Sequence, residues 1–198
     1  MIKLVIFDAY GVTLEGGYPK TCKEISKKFN LNYEYVYNIV YKKYFNQAAE
    51  RKITQNQAWN KAIKELEINI SVKEIKKVHY SYIRINKKTV NFAKKLKINT
   101  LLLSKNTRSQ FYETNKILGF QKYFKNIMNT WEYNLQKADK KTCLYIIKKF
   151  NIKPQEIIYT DDQKENLIEA KKLGINTILF KNFKQFKSEF DNIIRNKY

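Results

Sequence analysis

Residues 3–14, Lys-Leu-Val-Ile-Phe-Asp-Ala-Tyr-Gly-Val-Thr-Leu, constrain the fold more than any other stretch. Four consecutive apolar residues, Leu4 to Phe7, run directly into Asp8. A continuous apolar run closed by a turn signal suits a strand covered on both faces, as in a parallel sheet. Asp8 then stands at the carboxyl end of that strand, where ligands bind in open α/β sheets. Gly11 lets the chain turn sharply away. The plain alternative is an aspartate that merely opens a turn.

Three later stretches end in chemistry-bearing side chains. Leu101-Leu-Leu-Ser104-Lys105-Asn106 closes a buried strand, 99–103, with a hydroxyl, which can hydrogen-bond a phosphoryl oxygen without adding charge. Asn134-Leu-Gln-Lys137-Ala-Asp139 carries a lysine in a loop, and Asp139 reads as the N-cap of a helix over 140–150. Ile157-Ile-Tyr-Thr160-Asp161-Asp162 ends a strand in paired carboxylates, followed by a helix from Glu165 to Leu173. Adjacent carboxylates repel unless a cation lies near. Mg²⁺ takes a few carboxylates together with water and phosphate oxygens. A site built from Asp8 and Asp161, with Asp162 behind, meets that need; equally, Asp162 can cap the helix that follows.

The 198 residues suit one domain, or one domain with an insert. From Lys20 to about Ile85 every pattern is helical. Thr21 with Glu24 and Ser71 with Glu74 have capping-box spacing, and Thr54 caps a helix over Gln55–Leu66. The division expected is therefore an α/β core, 1–16 and 86–198, with an all-helical cap, 17–85, packed over the carboxyl edge of the sheet. Gly16 and Gly17 read as a hinge or as an ordinary loop. The only histidine, His79, reads as a surface residue, and Arg51 and Arg84 as solvated side chains or as clamps for an anion. Most of the tyrosines at 33, 35, 37, 41 and 44 read as core or cap interface rather than as stacking platforms. Cys22 and Cys143 have no motif spacing and read as reduced, buried thiols. A basic amphipathic helix from Lys181 to Tyr198 places Phe183, Phe186 and Phe190 on the sheet. Strand, insert, then alternating helix and strand make a three-layer parallel α/β sheet with right-handed crossovers.

The net charge of +21 comes from 39 basic against 18 acidic residues. The lysines are spread along the whole chain rather than gathered in one arm, which argues against a nucleic-acid partner. A diffuse positive field still attracts a small phosphorylated or anionic substrate. No run approaches the ~18 apolar residues of a membrane helix, and the chain enters a strand without a secretory leader. A cytoplasmic protein with no membrane partner is expected.

Asp8, Ser104, Lys137 and Asp161-Asp162, in that order at successive strand ends, resemble the four-motif signature of the haloacid dehalogenase-like hydrolase superfamily. The resemblance runs through almost the whole chain, and the insert resembles the helical cap that some members carry between the first two motifs. It implies a Rossmann-like core in which Asp8 is the nucleophile, assisted by Lys137 and by a Mg²⁺ ion. The metal would be held by Asp8, the backbone carbonyl of Tyr10 and Asp161, with Asp162 beside it. Ser104 and backbone N–H groups after Asp8, around Gly11, would hold phosphoryl oxygens. Lys105 and Asn106 are the adjoining substrate-binding candidates; the expected asparagine falls one place late, at Asn106. Phosphatases of the family carry a second Asp two residues after the nucleophile as acid–base group. This chain has Tyr10, a phenol with an ordinary pKa near 10 and a poor proton donor at neutral pH. The Asp-x-Tyr-Gly sequence resembles 2-haloacid dehalogenases, whereas Asp161-Asp162 with Asn166 resembles Mg²⁺-dependent phosphatase-like members. Three readings follow: a slow Mg²⁺-dependent phosphohydrolase on a small ester, a metal-independent dehalogenase, or a non-catalytic binding relative.

Overall fold

The computed structural model describes residues 1–196. In chain order the elements are β1 (Leu4–Asp8), β2 (Leu14–Glu15), α1 (Tyr18–Phe29), α2 (Tyr33–Tyr37), a π-helical run (Asn38–Phe45), α3 (Asn46–Ala49), α4 (Gln55–Glu65), α5 (Val72–Ser81), β3 (Arg84–Ile85), α6 (Lys87–Lys95), β4 (Asn99–Ser104), α7 (Arg108–Leu118), β5 (Asn126–Asn129), α8 (Lys140–Phe150), β6 (Ile157–Asp161), α9 (Ile168–Lys172), β7 (Asn176–Leu179) and α10 (Phe183–Arg195). Residues 197–198, the end of the expected C-terminal helix, lie outside the described residues. Among those described, no helix is long and apolar enough to cross a membrane.

The chain divides into two compact units. The first comprises Met1–Leu14, Ile85–Lys105 and the chain from Gly119 onward; the second comprises Glu15–Arg84 and Asn106–Leu118.

The first unit is a five-stranded sheet in the order β5-β4-β1-β6-β7. The pairings β1–β4, β1–β6, β4–β5 and β6–β7 are all parallel. β1 is central, and every residue of it is buried, as its uninterrupted apolar run requires. Period-2 alternation sends its side chains to both faces. Leu4 and Ile6 join Leu101, Leu103, Tyr159, Ile146 of α8 and Ala170 of α9 in one core cluster. On the other face Phe7 meets Phe124 and Phe186, with ring centroids 5.7 and 5.8 Å away. Phe183, Phe186 and Phe190 of α10 surround Phe92 of α6, edge-on, at 5.9, 5.4 and 5.1 Å. Such edge contacts each add about 0.5–1.5 kcal/mol beyond area burial. Helices on both faces of a parallel sheet give the three-layer α/β architecture.

From β1 the sheet grows through β4 to β5 on one side and through β6 to β7 on the other. The strand order thus reverses at β1, and the crevice beyond its carboxyl end is the expected ligand position. The ends of β1, β4 and β6 are Asp8, Ser104 and Asp161.

In the helical unit, α4 and α5 begin at Thr54 and Ser71, each with a complete capping box, to Gln57 and Glu74 respectively. The box expected at Thr21 and Glu24 does not form. Helix α1 starts earlier, at Tyr18, with Pro19 in its first turn, where the missing N–H costs nothing. Thr21 instead lies inside the helix, and its hydroxyl donates to Gly17 O at 2.9 Å. Tyr33, Tyr37, Tyr41 and Tyr44 pack against the unit's core, whereas Tyr35 is exposed, and several of the rings stack on one another, which the sequence expectation did not include. Tyr33–Tyr37, Tyr37–Tyr41 and Tyr41–Phe45 are near-parallel pairs at 5.8, 5.0 and 5.3 Å.

His79 is not on the surface: it is 1% exposed, packed against the Tyr18 and Trp59 rings. A directed hydrogen-bond chain accounts for its burial. Thr107 Oγ1 donates to Gln55 Oε1 (3.0 Å), Gln55 Nε2 to Tyr18 OH (3.0 Å), and Tyr18 OH to Gln110 Oε1 (2.8 Å). Gln110 Nε2 then contacts His79 Nε2 at 2.9 Å, and Thr21 Oγ1 contacts His79 Nδ1 at 2.9 Å. An amide nitrogen only donates, so His79 Nε2 accepts and Nδ1 carries the proton. His79 is thus a neutral tautomer, with donor and acceptor both satisfied. Burial lowers its pKa to about 3.

Candidate active site

The turn after β1 fixes the first carboxylate. Ala9 N donates to Leu103 O, continuing the β1–β4 ladder one residue past Asp8. The chain then closes on itself: Leu14 N reaches Ala9 O at 2.7 Å and Gly11 N reaches Leu14 O at 2.8 Å. Thr13 Oγ1 donates to Asp8 O at 3.0 Å and Ala9 O at 2.8 Å, tying down the backbone of the turn. Gly11 has φ +89°, a region side chains rarely adopt. A Cβ there would lie 2.1 Å from Asp162 Oδ2, so glycine is what lets the Asp162 carboxyl group lie against this loop.

Lys137 joins two strand ends. Its Nζ donates to Asp8 Oδ1 in a short contact and pairs with Asp161 Oδ2 at 2.6 Å. Lys137 is 4% exposed, Asp8 5% and Asp161 0%. Asp161 is held further by Tyr159 OH (2.9 Å), Gln163 N (2.9 Å) and Asn166 Nδ2 (3.0 Å). Asp162 does not cap the next helix; Asp161 takes the Gln163 N–H instead. Ligand-type oxygens of Asp8, Asp161 and Asp162 all lie within 4.8 Å of one another.

Three carboxylates against one ammonium leave a formal charge of −2, and the electrostatics show the excess. Burial, and then Asp161, push the Asp8 carboxyl well above the ordinary range, with Lys137 opposing. Burial and Asp161 also raise Asp162. Burial works against the charge on Lys137, but Asp161 and Asp8 outweigh it and raise its pKa, so it stays an ammonium. Tyr159 is raised by burial and by Asp161, and remains a neutral donor. A compact all-oxygen set with two uncompensated negative charges fits a hard divalent cation such as Mg²⁺.

Of the residues singled out from sequence, Asp8, Lys137 and Asp161 are in direct contact, with Asp162 and Gly11 beside them. Ser104 is buried at the end of β4, one register position beyond the Asp8–Leu103 pair. Half-buried Tyr10 bridges to Leu14 within the turn. Lys105 is the last residue of its segment of the α/β unit, and Asn106 opens a segment of the helical unit. Arg51 and Arg84 are exposed and belong to the helical unit. Four participants escape a sequence reading. Tyr159 lies two residues before Asp161, on the same face of β6, a signal that period-2 alternation offers. Thr13 and Gln163 act through a hydroxyl–backbone contact and a main-chain N–H, which leave no sequence signature. Asn129, paired in register with Ser104, is 4% exposed, and neither end of its amide has a partner.

The site and sheet define a class, and comparison with known proteins agrees. The model of the haloacid dehalogenase-like hydrolase family matches residues 6–180. This chain belongs to that family of hydrolases. A search of curated proteins gives no match. Among solved structures, a HAD family enzyme from Bacteroides thetaiotaomicron, an aspartate-to-alanine mutant in complex with magnesium and inorganic phosphate, is 22% identical (TM-score 0.73, 91% of this chain, 95% of that one). A HAD-like family hydrolase from Porphyromonas gingivalis is 15% identical (TM-score 0.76, 98% of each chain). The L-2-haloacid dehalogenase from Xanthobacter autotrophicus with chloropropionic acid covalently bound is 14% identical (TM-score 0.66, 89% of this chain, 76% of that one). At these identities the likeness is one of fold.

Proposed function

We propose that this protein is a Mg²⁺-dependent phosphohydrolase acting on a small phosphate ester, with Asp8 as nucleophile. The observation that carries the reading is the cluster of three carboxylates around one buried lysine, two negative charges in excess. The solved relative with magnesium and inorganic phosphate supports it.

Asp8, Asp161 and the Tyr10 carbonyl would hold the ion, with Asp162 beside them. Mg²⁺ supplies charge neutralisation for the phosphoryl oxygens and the attacking carboxylate. An Asp8 oxygen attacks phosphorus, the ester oxygen leaves with the bonding pair, and an aspartyl phosphate results. Water then attacks phosphorus, releasing phosphate and regenerating Asp8. Lys137 keeps Asp8 oriented and neutralises charge as two anions meet. Ser104 and N–H groups after Asp8 hold phosphoryl oxygens. The leaving oxygen needs a proton, and Tyr10, which stands where phosphatases of the family carry a second Asp, gives it poorly. Turnover is therefore slow.

Dehalogenation is the second reading, favoured by Tyr10 and needing no metal. Phosphate and halide release, measured on a panel of small esters and 2-halo acids with Mg²⁺ or chelator and with Asp8→Asn as blank, separates the two. Phosphate release that needs both Mg²⁺ and Asp8 supports the first reading; chelator-resistant halide release supports the second. Activity on neither substrate class would point to a binding relative. Under the first reading, Tyr10→Asp raises the phosphatase rate by about 10²-fold or more, the usual contribution of a positioned acid–base group.

A further inference from the structure

The helical unit has a groove of its own, about 890 Å³ in volume and lined entirely by residues of Glu15–Arg84. That volume is in the range of small-molecule sites. One wall is α1. Its buried stripe is Tyr18, Thr21, Cys22 and Ile25, so Lys20, Lys23 and Lys27, spaced i, i+3, i+7, fall on its outer face and line the groove. Arg84 lines it from β3. Four cations therefore face one lining carboxylate, Glu15. Lys20 is already engaged: its ammonium pairs with Glu24 at 3.2 Å and lies 5.1 Å from the centroid of the Tyr82 ring. Lys23, Lys27 and Arg84 form no ion pair among the described residues. The Gly16 bend helps shape the floor, because a Cβ there would meet Tyr82 O at 2.2 Å.

The aromatic component is as specific as the charge. Tyr33 lines the groove, and Tyr33 also heads the stacked series through Tyr37 and Tyr41 to Phe45. Tyr33 is half-buried against the unit's core and also contributes to the groove lining, so its ring is an aromatic surface that a planar ligand in the groove would meet. In the same lining, the two lysines and the arginine offer donors for a phosphate; Arg84 Nη1 already donates to Ile83 O at 2.9 Å, and the guanidinium keeps further N–H groups for an anion. Glu15 offers an acceptor for a hydroxyl.

We propose that this groove binds a small ligand joining a planar aromatic ring to a phosphate, nucleoside-monophosphate chemistry, with the ring on Tyr33 and the phosphate on Lys23, Lys27 and Arg84. Its lining shares no residue with the carboxylate cluster, and the proposal does not depend on the phosphohydrolase reading.

Calorimetric titration of the Asp8→Asn protein without Mg²⁺ tests it, using AMP, adenosine, inorganic phosphate and a short single-stranded oligonucleotide as probes. AMP is expected to bind at least about tenfold more tightly than inorganic phosphate, because its ring adds stacking on Tyr33, and at least about tenfold more tightly than adenosine, because its phosphate adds charge-assisted hydrogen bonds. Tyr33→Leu and the exposed pair Lys23→Glu/Lys27→Glu should each weaken AMP about fivefold or more, within that same stacking and charge range. The lysine variants change only surface positions and keep the test valid if Tyr33→Leu fails to fold. AMP binding no tighter than phosphate, or indifferent to the lysine variants, overturns the proposal. So does oligonucleotide affinity that climbs with strand length above that of AMP, which would make the groove a strand track.

Discussion

Burial of His79 should make this fold sensitive to acid. In the unfolded chain its imidazole takes up a proton near pH 6.5; in the helical unit burial holds that off until about pH 3. Across that window the unfolded state binds more protons than the folded one, so stability falls as the pH drops. Each pH unit inside the window costs about 1.4 kcal/mol. At pH 5 the loss from this one residue is therefore about 2 kcal/mol, and at pH 4 about 3 kcal/mol, against a typical total of about 5–15 kcal/mol. The hydrogen-bond chain resists any adjustment. Gln110 can turn its oxygen toward a protonated Nε2 only by withdrawing that oxygen from Tyr18 OH. Urea unfolding of the wild type and of His79→Gln at pH 7 and pH 5 isolates the effect. The variant starts less stable, but the carboxylate contributions to the pH dependence are common to both proteins. The wild type should lose about 2 kcal/mol more than the variant between the two pH values. Equal losses would refute the argument that His79 is held neutral by burial.

Other outcomes follow from the carboxylate cluster. If the cluster binds Mg²⁺ as proposed, Asp8→Asn removes one of the two uncompensated charges and should raise the melting temperature in chelator, while abolishing the upward shift expected when Mg²⁺ is added to the wild type; an unchanged Mg²⁺ shift would place the ion elsewhere. Gly11→Ala should cost about 1–2 kcal/mol from the positive φ alone and, by displacing the Asp162 carboxyl group, weaken Mg²⁺ about tenfold by calorimetry. Mg²⁺ affinity should fall as the pH is lowered from 7 to 5, because the raised Asp8 and Asp162 hold protons that the cation must displace; a pH-independent affinity would contradict those shifts. Asn129→Leu should leave chemical stability unchanged or raise it by up to about 1 kcal/mol, since it removes a buried amide without partners; a loss above that size would reveal an essential partner.

Much of this architecture is legible in the sequence because the relevant signals are local. An apolar run ending in Asp8, another ending in Ser104 and a third ending in Asp161 each state a strand and its functional end within a few residues. Parallel pairing then brings them together without further information. Phe183, Phe186 and Phe190 fall on one stripe, and that stripe meets Phe7 and Phe92 as the periodicity implies. What stayed illegible depends on distant partners. His79 sits among lysines on a helix of mixed character, and the groups that make its burial tolerable, Thr21 and Gln110, lie 58 and 31 residues away. Thr21 resembled a cap because its spacing to Glu24 is right. The start of α1 was decided instead by Gly17, whose φ of +70° ends the preceding loop, and by Pro19. Asp162 resembled a cap because it directly precedes the following helical segment, but Asp161 takes the Gln163 N–H.

The polar chain through the helical unit also bears on how this protein could be recombined. It begins at Thr107 and passes through Gln110, both on the short segment that returns to the unit after β4, while Gln55, Tyr18, His79 and Thr21 come from the long insert. A chimera that transplants residues 15–84 as a cassette onto another core would leave His79 Nε2 without its donor, Tyr18 OH without its acceptor and Gln55 Oε1 without its donor, one lost partner each. The inheritable module is discontinuous: residues 15–84 travel only with 106–118, and a library of cap exchanges that ignores the second segment should yield insoluble chimeras.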